Sequence, residues 1–239
     1  MRRVLKFPRK NASASLCHFN NAVFFDGNGH TISVETNGDH YGIMTSGGTI
    51  KNLTINDGYR AIMVMSATED VVLENVVVSG SGIGYALNTG EASEEIEIKA
   101  TNCTFTGNTS NDEGGAYRLA SSGTATLTGC TFTNNEAKNT GGGAIKFNTG
   151  TLTIDGCKFS GNVATKGDVN GHEIKLSTDP TSENGYYRPT IQNSTFDPSK
   201  VRNLAGDSNA YIDGGNNKTP YLDEDQEGGN DSDEEIVFP

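Results

Sequence analysis

The sequence predicts an all-β fold, a single-stranded parallel β-helix (a solenoid) of about six to eight rungs, on three observations. The segment Gly129-Cys130-Thr131-Phe132-Thr133-Asn134-Asn135 returns 27 residues later as Gly156-Cys157-Lys158-Phe159-Ser160-Gly161-Asn162. Apolar residues inside the repeats alternate, which is the period of a strand with one buried face. Gly, Asn and Thr turns separate these short strands, and no helical pattern lies between them.

Taken in order, residues 1–22 read as a cap or a flexible lead-in. They carry five of the 18 Lys and Arg residues and lack the apolar stretch of a signal peptide. Residues 23–220 read as the solenoid. One template, apolar-x-x-apolar or small-x-apolar, occurs as Ile50-Leu53-Ile55, Leu73-Val76-Val78, Leu127-Cys130-Phe132, Ile154-Cys157-Phe159 and Ile191-Ser194-Phe196. Ile98-Cys103-Phe105 fits it if two residues are inserted after Ile98. A second template precedes each copy: Ile43-Met44, Ile62-Met63-Val64, Tyr85-Ala86-Leu87, Tyr117-Arg118-Leu119, Ile145-Lys146-Phe147 and Ile174-Lys175-Leu176. Two strands per unit and a fixed residue type at each slot describe a chain that completes a circuit and refills the same place in its core. Neighbouring rungs of such a coil lie ~4.8 Å apart. A β-sandwich imposes no such recurrence, and a propeller blade needs roughly 40–45 residues. Residues 221–239 hold eight of the 30 Asp and Glu residues and read as an acidic, disordered tail.

Composition narrows the function classes. A formal charge of −12 argues against a general nucleic-acid binder, which needs a basic face. No apolar run approaches the ~18 residues of a membrane span, so membrane insertion is not expected. Hydrophobic residues make up 33% of the chain, few enough that a core requires the same positions to be apolar in every rung.

Gly114-Gly115-Ala116-Tyr117 and Gly142-Gly143-Ala144-Ile145, with Phe105-Thr106-Gly107-Asn108, Phe132-Thr133-Asn134-Asn135 and Phe159-Ser160-Gly161-Asn162, resemble the "GGAI" and "FxxN" repeats of chlamydial-type polymorphic outer-membrane proteins. Asp26-Gly27-Asn28-Gly29-His30-Thr31-Ile32 is similar to the opening turn of pectin-lyase-like β-helices. The resemblance implies a right-handed parallel β-helix of the autotransporter-passenger kind, with a location at the cell surface or outside the cell. It implies no particular activity.

Several residues invite a functional reading. Cys103, Cys130 and Cys157 recur at 27-residue intervals, so their thiols stack on one wall. Their register with Leu53 and Val76 points them inward as small hydrophobes, and tetrahedral zinc would need ligands from different directions. Asn108, Asn135 and Asn162 repeat after the Phe strand, where an Asn ladder suits a turn. Asn52, Asn102 and Asn193 lie in glycosylation sequons but also at a repeated turn. Arg118, Lys146 and Lys175 each sit between two apolar template positions, so alternation turns them out of the core. A column of three cations on an acidic chain is either a solvated face relieved by carboxylates such as Glu113 and Glu173, or a groove for an anionic ligand such as a uronic-acid glycan. Pectin-lyase-like enzymes place substrate on the outside of such a wall. Ser177–Pro189 interrupts the circuit as an insertion, and its Tyr186, Tyr187 and Arg188 are of the types enriched at binding hot spots. Outward Thr104/Thr106 and Thr131/Thr133 resemble the flat arrays of ice-binding solenoids, but Lys158 and Asp197 break the pattern.

Catalysis finds little support. A glycosidase needs two carboxylates about one bond, and a lyase of this architecture needs a base with calcium-binding acids; no repeated outward acid column exists. Asp168 and His172 resemble part of a polygalacturonase signature without its companions, and the four His residues show no metal-ligand spacing. The expectation is therefore a non-catalytic bacterial surface or secreted adhesin or binding scaffold for a glycan, acidic in the case of the cationic column, or for a host or bacterial surface protein. No catalytic residue, metal or cofactor is assigned. The alternatives are a polysaccharide lyase or glycoside hydrolase, and a purely structural stalk.

Overall fold

The computed structural model describes residues 17–18, 23–34, 40–65, 67–88, 96–111, 114–119, 124–139, 141–166, 172–177, 187–203 and 210–219. It is an all-β parallel solenoid, as the repeats predict. One wall is an eight-stranded sheet: Cys17–His18, Tyr41–Thr45, Arg60–Met65, Ile83–Asn88, Tyr117–Leu119, Ile145–Phe147, Ile174–Leu176 and Val201–Arg202 stack in chain order. Their pairings are parallel and in register, for example Tyr117 with Ile145 and Ile145 with Ile174. After each such strand the chain crosses to an eleven-stranded sheet that begins at Val23–Val34 and ends at Ile212–Gly215. Thr109–Ser110, Glu136–Ala137 and Val163–Ala164 form a narrow third sheet. The Cys17–His18 strand carries the stacking back into the segment read as a lead-in or cap; residues 1–16 and the acidic tail lie outside the described residues.

Asn makes the bends. Where the second sheet folds across a corner, Asn52, Asn75, Asn102 and Asn193 hold φ of 50–53°, a left-handed geometry that Asn tolerates better than other residues with a Cβ. Gly129 and Gly156 take the same corner at φ 62° and 63°. Asn75 Nδ2 donates to Asn52 Oδ1 at 3.2 Å, and Asn216 repeats the bond to Asn193 at 3.1 Å. The sequon asparagines are thus corner residues of the coil. Asn108, Asn135 and Asn162 form a second, fully buried ladder. The Asn135 side-chain oxygen accepts from the backbone N–H and the side chain of Asn108, and its amide donates to Asn162 Oδ1 and the Phe105 carbonyl. The Asn108 and Asn135 amides meet partners on the rungs to either side, and Asn162 bonds back to Asn135 and the Phe132 carbonyl, so each buried polar group is satisfied.

Inside, like stacks on like. Phe105, Phe132 and Phe159 stand in one file with ring centroids 5.2 and 4.9 Å apart and planes within 8°. Cys103, Cys130 and Cys157 form the neighbouring file as buried free thiols. Ser194 extends that file by accepting from Cys157 N at 3.0 Å. Hydrogen bonding with Cys130, then burial, pushes the Cys103 thiol well above the usual range. In a third file, Phe25, Ile50, Leu73, Ala100, Leu127, Ile154 and Ile191 lie in register. Here the structure corrects the alignment. Ala100, not Ile98, pairs with Leu127, so no insertion is needed and Ile98 falls beside Ala125 and Val71. Ile98 and Ala100 lie two residues apart and both face inward, so the pleat admits either, and it is the cross-strand pairing that decides the register. The same file ends in Asp213, an exposed carboxylate opposite Ile191.

Candidate functional site

The outer face of the eight-stranded wall brings the sequence-predicted cations together. Arg118 pairs with Lys146, Lys146 with Lys175, and Lys175 with Arg202, which adds a fourth member that the repeat comparison missed. The missed member belongs to a two-residue strand whose sequence, Val201-Arg202, is too short to reveal the template. At ~4.8 Å per rung the column runs about 14 Å.

The expectation that alternation would leave this column open to solvent fails for its centre. Lys146 and Lys175 are only 3% and 2% exposed, whereas Arg118 and Arg202 are half-buried. Alternation fixes which side of the sheet a residue takes; it does not fix what covers that side. Lys175 Nζ donates to the Asn203 carbonyl at 3.0 Å. Burial, then the charges of Lys146 and Arg202, pull the Lys175 ammonium down to about 8. At Lys175 the column thus holds positive charge where water screens it weakly, and the flanking Lys146 and Arg202 add to the cost of charging it.

Glu173 does not serve as the expected counter-charge to the column. Its buried carboxylate accepts the Asp197 N–H at 3.1 Å. Burial pushes its pKa up to about 7, against the opposing pull of that hydrogen bond and of Lys200, and the Asp197 carboxylate adds to the rise. Asp197 in turn caps the short 3-10 turn Pro198–Lys200 and faces Lys200 Nζ at 3.7 Å. Two carboxylates 24 positions apart therefore become neighbours, an encounter the linear sequence does not display. Glu113 lies outside the described residues.

The insertion is also tied down further than expected. Tyr187 is half-buried, sets its ring edge-on to Phe147 at 6.0 Å and donates its backbone N–H to the Ser177 carbonyl. Arg188 donates to the Tyr211 carbonyl and so joins the insertion to the last coil, where Tyr211 packs on Phe196. Both residues brace the fold; Tyr186 lies outside the described residues. His172 accepts the Ala164 N–H through Nδ1 at 3.0 Å, a structural contact, and Asp168 is not among the described residues. Thr104 and Thr131 share a column that passes to Lys158, so the threonine array stops where the sequence places the break. Among the described residues no group of three or more His, Cys, Asp or Glu side chains is disposed to hold a metal.

A family model described as "Right handed beta helix region" matches residues 10–159, well over half of the chain. Searches among curated proteins and among solved structures returned no match.

Proposed function

The chain belongs to the right-handed β-helix family, and from that premise we propose that it is a non-catalytic binding scaffold, secreted or carried on a bacterial surface. Its eight-stranded wall faces an acidic glycan. One observation carries this reading: four cations stand in register on the outside of that wall in a chain of net charge −12. An anionic chain laid along the column meets four positive charges spaced one rung apart, and each adds to the attraction. The half-buried Arg118 and Arg202 are the members that reach such a ligand first, and their planar forks suit carboxylates. The stack supplies rigidity, since the strands that carry Arg118, Lys146 and Lys175 are paired with rungs on both sides.

An array of acidic and neutral glycans tests the proposal. The parent chain should bind acidic members with an affinity that falls as salt rises. Arg118→Gln with Arg202→Gln should weaken that binding about tenfold or more, and unchanged binding would reject the column as the site. If no glycan binds, a protein partner or a stalk takes its place. A second reading, a polysaccharide lyase or glycoside hydrolase, is favoured by the near-neutral Glu173 carboxyl beside Asp197, since a raised carboxyl pKa suits a general acid. Incubation with acidic polysaccharides decides it: unsaturated products read in the ultraviolet reveal a lyase, and new reducing ends reveal a hydrolase.

A further inference from the structure

Arg60 is an unusual cation in this acidic chain. Its guanidinium lies 4.8 Å from the Tyr59 ring centroid and 5.9 Å from that of Tyr41. The two rings meet edge to face at 6.1 Å, so Arg60 is held in an aromatic corner. Among the described residues its guanidinium hydrogen-bonds the Met63 sulfur at 3.8 Å, a weak acceptor, and its buried Nε meets no acceptor. Arg60 makes no ion pair with the described acids, although the chain holds 30 Asp and Glu residues.

The backbone builds this corner deliberately. Asp57 and Gly58 take successive left-handed conformations, at φ 65° and 89°, and swing Tyr59 out of the turn between the two large sheets. The Tyr59 backbone is pinned on both sides, donating to His40 O at 2.9 Å and accepting from Ile83 N at 3.0 Å. Tyr41 pairs directly with Arg60 on the adjacent strand. Tyr59 remains 39% exposed, so part of the assembly meets solvent. A forked cation fixed by aromatic faces and short of acceptors matches a carboxylate, which takes two parallel N–H bonds. The partly exposed aromatic ring beside it matches the apolar face of a sugar.

We propose that Arg60, Tyr59 and Tyr41 form a subsite for a carboxylated sugar, the guanidinium taking the carboxylate and the Tyr59 ring stacking on the pyranose. The subsite lies at the amino-terminal half of the same wall as the cationic column, two rungs away from its first arginine, and rests on the reading that this wall faces an acidic glycan. It names the ligand class at a place the column does not include.

The probes are methyl glucuronoside and its uncharged methyl ester, followed by amide chemical shifts in the full chain. The glucuronoside should shift amides of Gly58–Met65, and the ester should shift them about tenfold less at equal concentration. Arg60→Gln should abolish the shifts. Arg60→Lys, which keeps the charge without the fork, should weaken binding severalfold, and Tyr59→Ala, at a partly exposed turn, should weaken it while preserving the circular dichroism of the fold. Arg118→Gln with Arg202→Gln should leave the monosaccharide shifts intact. Equal shifts with the ester, or no glucuronoside shifts at Gly58–Met65 in the folded parent, overturn the subsite. Loss of glycan-array binding only in the double Arg variant would uphold the column and reject the subsite, so the two readings fail separately.

Discussion

Replacing Glu173 with Gln removes one buried ionisable group just ahead of the Ile174–Leu176 strand and leaves an oxygen to accept the Asp197 N–H. Burial raises the Glu173 pKa from its ordinary 4.5 to about 7. Below pH 4.5 the carboxyl is protonated in both the folded and the unfolded chain, and the group imposes no penalty. Between pH 4.5 and 7 the folded chain keeps a proton that the unfolded chain releases, so stability falls as pH rises. Above about pH 7 both states are ionised and the loss is complete. A rise of this size corresponds to about 3 kcal/mol. Urea unfolding of parent and Glu173→Gln chains across this range isolates the effect, because the other titrating groups are common to both. The difference in unfolding free energy should grow by about 1.4 kcal/mol per pH unit through the window, in favour of the variant, and then level off. A fixed loss from imperfect amide packing would offset the curve without changing its slope. A difference independent of pH would refute the assignment of a buried, neutral-range carboxyl to Glu173.

Three further outcomes follow from the stacked architecture. Asn135→Ala strands the side chains and backbone groups of Asn108, Asn162 and Phe105 that Asn135 now satisfies; the loss should be about 3–5 kcal/mol by chemical denaturation, and a loss under about 1 kcal/mol would contradict the ladder. Cys103, Cys130 and Cys157 should resist a thiol-specific chromogenic reagent in the native chain and react once it is unfolded, since all three are buried; fast native labelling of any of them would contradict that core file. Asp213→Leu completes the apolar file that runs from Phe25 to Ile191 and removes the charge from an exposed edge strand. Light scattering should then show concentration-dependent association beyond that of the parent chain, and identical masses would show that Asp213 does not guard this end.

The parts of the fold that were legible in the sequence are those in which a physical constraint repeats. Phe105, Phe132 and Phe159 recur at one interval because each must fill the same slot one rung later. The file of cysteines and the recurrence of Asn108, Asn135 and Asn162 were readable for the same reason, but the left-handed turn residues are Gly107, Asn134 and Gly161, one position earlier, and the Asn ladder itself is buried. Ala100 was misaligned because a small side chain carries too little signal to mark its slot; its register is set by cross-strand pairing with Leu127 and Leu73. The candidate site was legible only in part. Arg118, Lys146 and Lys175 share a column as their template position requires, yet Lys146 and Lys175 are buried on the outer side of the sheet. Tyr187 and Arg188 have the composition of a binding loop, and tertiary contacts with Phe147 and the last coil make them braces.

By itself, then, the sequence determined the circuit: which residues face inward, how often the chain returns, and which side of the wall each charge takes. Those features depend on period-two alternation and on a fixed repeat length, both of which are local or periodic properties of the chain. The tertiary structure alone decided which outward groups stay wet, that Glu173 would meet Asp197, and that Arg60 would settle between Tyr41 and Tyr59. Those outcomes depend on the surroundings that neighbouring rungs and connecting segments create, because desolvation and partner choice are properties of a place in space and not of a position in a repeat.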